Sequence, residues 1–93
     1  MSGSILVVED EPAIQELVSF TCASSGYKVR RAETVGAAQE AIRSELPDLV
    51  ILDWMLPDRG GIDLLRDLRA HDRTRGLPVI MLTAKSAETD RVA

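Results

Sequence analysis

The sequence predicts one α/β domain built on a doubly wound parallel sheet, and two observations carry that prediction. Short, uniformly apolar runs at Ile5-Leu6-Val7-Val8, Leu49-Val50-Ile51-Leu52 and Val79-Ile80-Met81-Leu82 read as strands covered on both faces. Between strands lie helical segments about 10–15 residues long, the spacing of right-handed βαβ units. A length of 93 residues allows one domain.

The elements follow in order. After the first strand, Pro12 suits the first turn of a helix, where its missing N–H costs nothing. Ile14, Leu17, Val18 and Thr21-Cys22 recur at helical spacing as its inner stripe, and Gly26 supplies a stop. Tyr27 to Ala32 is strand-like but carries Lys28, Arg30 and Arg31, which suits a sheet edge and discourages edge pairing. Thr34 is the N-cap of a second helix whose inner face holds Ala38, Ala41 and Ile42. Pro47-Asp48 ends it. Gly60-Gly61 closes the loop after Asp53, and Ile62, Leu65 and Leu68 form the stripe of a third helix. Gly76 and Pro78 punctuate the connection to the last strand, and a fourth helix is expected from about Ala87.

Composition excludes several classes. No apolar run exceeds four residues, so no membrane span is expected, and Met1-Ser2-Gly3-Ser4 lacks a secretory pattern. Cys22 is the single cysteine, which leaves no disulfide frame or thiolate cluster and points to the cytoplasm. The net charge is −4, with Glu9, Asp10, Glu11 and Glu16 all preceding the first basic residue, Lys28. Later arginines are scattered among acids, unlike a nucleic-acid-binding face. His71 lies in a polar stretch without a partner at ligand spacing and reads as a helix-end or loop residue.

Ligands of open α/β sheets bind beyond the carboxyl ends of the strands. Here those ends carry Glu9-Asp10-Glu11, Asp53 and Thr83-Ala84. Taken singly, the first acids could merely favour a helix dipole, and Thr83 could be a cap. Asp53, followed by Trp54-Met55-Leu56-Pro57, has no such excuse. Carboxylates about 4 Å apart repel by about 4 kcal/mol at an effective dielectric near 20. A divalent cation resolves that conflict, and an all-oxygen set without histidine or thiolate selects a hard ion, Mg²⁺. Mg²⁺ takes few direct carboxylates, so Asp10 and Asp53 are expected as ligands, Glu9 through a water, and the Met55 carbonyl as a further contact. An ionised Asp beside such a metal is also a nucleophile for a phosphoryl group. The Thr83 hydroxyl and the backbone N–H groups of Trp54 and Ala84 would then face the phosphoryl oxygens.

These stretches resemble the receiver domain of two-component response regulators. Ile5 to Glu11 resembles its opening strand and acidic pair, Leu52 to Pro57 with Gly61 its phosphoacceptor loop, and Val79 to Ala84 its fourth strand and switch threonine. Asp53-Trp54-Met55-Leu56-Pro57 and Met81-Leu82-Thr83-Ala84 resemble the OmpR/PhoB subfamily in particular. The resemblance implies a flavodoxin-like, CheY-like sheet of order 2-1-3-4, with residues 1–93 a receiver domain incomplete at its C-terminus. It implies phosphoryl transfer to Asp53 from a sensor histidine kinase with Mg²⁺, and movement of Thr83 toward the new oxygens. The resemblance further implies a homodimer through the fourth-helix face and DNA binding through an attached C-terminal domain, together a transcription regulator of phosphate-regulon type. The chain ends at Ala93, before the fifth strand and helix and the family's phosphoryl-contacting lysine; Lys85 is not its equivalent. That ending is expected to leave the fourth strand as an uncovered edge.

Other readings stay open. A stand-alone receiver, or a phosphorylation-incompetent fragment that self-associates, would share the motifs. A Mg²⁺-dependent hydrolase with an aspartyl intermediate is disfavoured because Met55 stands where dehalogenase-type phosphatases place an acid. No residue is ready to activate water, so turnover beyond slow autodephosphorylation is not expected. A nucleotide-binding enzyme lacks its Gly-rich loop after Val8.

Overall fold

The structure, a computed structural model, describes residues 3–82. In chain order the elements are β1 (Ser4–Val8), α1 (Pro12–Ser24), β2 (Lys28–Ala32), α2 (Val35–Ser44), β3 (Leu49–Asp53), α3 (Gly61–Ala70) and β4 (Val79–Leu82). The strands form one parallel sheet in the order β2-β1-β3-β4. The expected fourth helix lies outside the described residues.

Period-two alternation explains why apolar runs became central strands. Leu6, Val8, Val50 and Leu52 point to one face, where Val35, Ala38 and Ile42 of α2 and Leu64 and Leu68 of α3 close over them. Ile5, Val7 and Ile51 point to the other, packed by Val18 and Cys22 of α1. Helices therefore cover both faces, as a doubly wound sheet requires. Cys22 is a partly buried packing residue, as expected.

Local signals hold at most ends. Pro12 opens α1 behind a Glu11 cap, and Gly26 follows its end with φ 97°, a left-handed conformation that glycine adopts without strain. Thr34 Oγ1 accepts from Ala37 N–H at 2.9 Å to cap α2. β2 is an edge strand starting at Lys28, with Tyr27 outside it. β4 is the other edge among the described residues, and its Ile80 is exposed. His71 ends α3, its Nδ1 2.8 Å from Asp67 O. No helix among the described residues is long and apolar enough to cross a membrane.

Two stripes differ from expectation. On α1, Leu17 and Thr21 are exposed, and the fully buried positions are Gln15 and Ser19. On α3 the buried residues are Gly61, Leu64 and Leu68, while Ile62 and Leu65 are only partly covered. The first difference has a polar cause. Gln15 Nε2 lies within hydrogen-bonding distance of the carbonyls of Glu9 (3.0 Å), Val7 (3.3 Å) and Ala32 (3.3 Å), and its Oε1 accepts from Ser19 Oγ at 2.7 Å. A buried amide so completely satisfied replaces an apolar contact at little cost, and it turns α1 so that Leu17 faces outward. On α3 the residue one place before Leu65 meets the core because Gly61 starts the helix hard against β3, fixing its rotation.

Candidate functional site

Parallel register brings the chemistry together. Val8 pairs with Leu52 and Asp53 with Leu82, so the residues following β1 and those ending β3 emerge side by side at the carboxyl edge. The backbone N–H of Glu9 still donates to Ala32 O at 2.9 Å, which extends the β1–β2 ladder one step and turns the Glu9 side chain inward. Glu9, Asp10 and Asp53 each present an oxygen within 4.8 Å of the others. They line a cleft of about 370 Å³ together with Glu11, Ile14, Met55 and Leu82. Thr83 and Ala84 lie outside the described residues.

The three acids differ in environment. Glu9 is only 3% exposed, Asp53 is half-buried and Asp10 faces solvent. Burial pushes the Glu9 carboxyl above its ordinary value; the Glu11 N–H on Glu9 Oε2 at 2.9 Å offsets part of this, and the charges of Asp53, Asp10 and Glu11 add to the rise. Two full charges 4.8 Å apart repel by about 3.5 kcal/mol at an effective dielectric near 20, and by less where Asp10 meets water. Such a cluster fits a hard divalent cation: oxygen donors, no histidine or thiolate among the lining residues, and a charge conflict that a cation relieves.

Asp53 sits at the exit of β3, and its Oδ1 accepts from the Trp54 N–H at 2.8 Å. The following loop is folded back tightly. Gly61 N–H donates to Trp54 O at 2.8 Å, and Met55 and Gly60 form an antiparallel bridge. A Cβ at position 61 would lie 2.1 Å from Asp53 O, so glycine is the residue that lets α3 begin directly against the end of β3. Trp54 and Met55 are both exposed at the rim.

Sequence reasoning missed Gln15, whose amide binds the Glu9 carbonyl from behind the cleft. It also missed Asp58, whose carboxylate accepts from the α2 backbone at Val35 and Gly36. Neither has a local signal; a polar residue inside an otherwise apolar helical stretch is the one hint Gln15 offers. A second groove of about 300 Å³, between α2 and α3, is lined by Gln39, Leu64, Asp67 and Arg73 among others and gathers no cluster of acids.

A sheet of this order with acids at these strand ends defines a class, and comparison with known proteins agrees. The response regulator receiver domain family model matches residues 5–93, and the chain belongs to that family. It is similar to the phosphate regulon transcriptional regulatory protein PhoB of Escherichia coli K12, 44% identical over 92 residues, covering 99% of this chain and 40% of that protein. The probable transcriptional regulatory protein TcrX of Mycobacterium tuberculosis is 44% identical over 90 residues, covering 97% of this chain and 38% of TcrX. The chain thus spans about two fifths of the length of these curated relatives. Among solved structures, the receiver domain of sensor histidine kinase PA1611 from Pseudomonas aeruginosa PAO1 superposes with a TM-score of 0.88 at 30% identity, covering 99% of this chain and 75% of that one. That structure holds a magnesium ion coordinated in its active site cleft.

Proposed function

We propose that this chain is a phosphoaccepting signalling switch in which Asp53 takes a phosphoryl group from the phosphohistidine of a sensor histidine kinase. The observation that carries the reading is the convergence of Glu9, Asp10 and Asp53 within 4.8 Å at the carboxyl edge of the sheet. Asp53 and Asp10 would hold Mg²⁺ directly, the Met55 carbonyl would add a backbone ligand, and Glu9, with one oxygen already engaged by Glu11 N–H, would act through a water. When bound, the metal supplies neutralisation of charge on the phosphoryl oxygens.

The chain's own part is positional. An Asp53 oxygen attacks phosphorus as the phosphorus–nitrogen bond to the donor imidazole breaks, and the electron pair leaves with that nitrogen. A carboxylate nucleophile, ionised at neutral pH at its ordinary value, needs no general base. Trp54 N–H, now on Asp53 Oδ1, lies where it can turn to a phosphoryl oxygen; Thr83 Oγ and Ala84 N–H are assigned to the others on their sequence positions. In this reading the chain is a phosphoryl acceptor with at most slow autodephosphorylation. The relatives' names support the wider reading. A longer protein carrying this domain would be a cytoplasmic transcription regulator that dimerises through the fourth-helix face and binds DNA through a further domain.

Incubation with acetyl phosphate and Mg²⁺ tests the core of this. One phosphoryl group should be gained, and Asp53→Asn should gain none. Labelling that survives in Asp53→Asn, or that proceeds undiminished in chelator, would overturn it.

A further inference from the structure

The loop joining β3 to α3 serves the cleft at one end and grips another element in its middle. Met55 lines the cleft, and the loop's base is closed by the Gly61–Trp54 hydrogen bond and the Met55–Gly60 bridge. Its tip reaches α2. Asp58 Oδ1 accepts from Val35 N–H at 2.9 Å, and Oδ2 accepts from Gly36 N–H at 3.0 Å. Oδ1 also accepts from Arg59 N–H at 2.9 Å, which holds the carboxylate in one orientation. The first turn of a helix has N–H groups with no partner inside the helix. In α2 the side chain of the local cap, Thr34, satisfies Ala37 alone, and the two preceding groups are satisfied across the fold by Asp58.

Two further facts make this more than a cap. The backbone donors hold the Asp58 carboxyl below its ordinary range, so the clasp is a charge-assisted one at the positive end of a helix. α2 is itself anchored in the core, since Val35 and Ala38 are fully buried in the same cluster as Leu6 and Val8 of β1. A loop closed at its base and fastened at its tip to such a helix has its orientation fixed by that helix.

We propose that Asp58 is a positioning residue for the phosphoacceptor cleft: its clasp on α2 sets the Met55–Gly60 loop so that the Met55 carbonyl and the Trp54 N–H stand beside Asp53. The proposal rests on the phosphoacceptor reading above. It predicts that a clasp far from the acids tunes metal binding, as partners behind a first ligand generally do.

Asp58→Ala and Thr34→Ala make a matched pair, because both strip an α2 cap and only one holds the loop. Amide hydrogen exchange at Gly61 and Mg²⁺ affinity are read on each, with melting temperature as the measure of simple destabilisation. Asp58→Ala should speed exchange at Gly61 and weaken Mg²⁺ binding by about tenfold, whereas Thr34→Ala at a similar melting temperature should leave both within about twofold of wild type. Asp58→Asn, which keeps one acceptor oxygen, should fall between, and takes the place of Asp58→Ala should that variant not fold. Equal effects in the two caps, or wild-type exchange and affinity in Asp58→Ala, overturn the proposal. Faster exchange with unchanged affinity overturns it too, since the loop would then not serve the cleft. A wild type that takes up no Mg²⁺ sinks the phosphoacceptor reading instead, and exchange at Gly61 alone then decides whether the clasp holds the loop.

Discussion

Glu9 is an acid that the fold buries almost completely. Its carboxyl is held above the ordinary value of 4.5, chiefly by burial. Between that value and the raised one, the folded chain keeps a proton that the unfolded chain has released. The folded state thus binds more protons there, and stability falls as pH rises through the window; below 4.5 the penalty is absent. Asp58 works in the opposite sense, its contribution present above 3.8 and lost as pH falls through its depressed folded value. Urea unfolding in chelator should therefore show Glu9→Gln more stable than wild type at about pH 7, with the advantage vanishing below about pH 4.5. Glutamine keeps an oxygen for the Glu11 N–H, so the comparison isolates charge. A variant no more stable than wild type at neutral pH would show that the acids do not repel as described.

The elements show what a sequence exposes and what it hides. Central strands were legible because residues covered on both faces must all be apolar, and Ile5 to Val8 and Val50 to Leu52 are. Thr34, Pro12 and Gly26 were legible because capping is local chemistry. The α1 stripe was not, since Gln15 is buried by carbonyls on β1 and β2 that no helical periodicity reveals. Asp58 was hidden for the same reason, its donors lying on α2, more than twenty residues earlier. Asp53 was legible as a carboxylate ending an apolar strand, and Glu9 and Asp10 likewise; that the three converge needed only the parallel order of the strands. Gly61 was visible as a loop closer but not as a contact. Its packing against Asp53 O makes Gly61→Ala a backbone clash, which overpacking data place at about 1–3 kcal/mol. The variant should lose that much stability in urea and slow phosphoryl uptake at Asp53. Wild-type values for both would mean that α3 need not abut β3.

At the scale of the whole molecule, the sheet order is what makes the site. β1 and β3 are adjacent, so acids distant in sequence share one edge, and helices pack on both faces of the sheet that carries it. A cation that binds only this folded arrangement stabilises the whole domain, by about 2.7 kcal/mol at roughly a hundred times its Kd. The molecule carries its own reporter: its one tryptophan, Trp54, adjoins Asp53 at the rim and is exposed. The most direct measurement is a Mg²⁺ titration followed by Trp54 fluorescence, on wild type, Asp10→Asn and Asp53→Asn. A saturable change in wild type, strongly weakened in both variants, is the predicted result. A wild-type signal indifferent to Mg²⁺, or an affinity the variants leave untouched, would contradict the account.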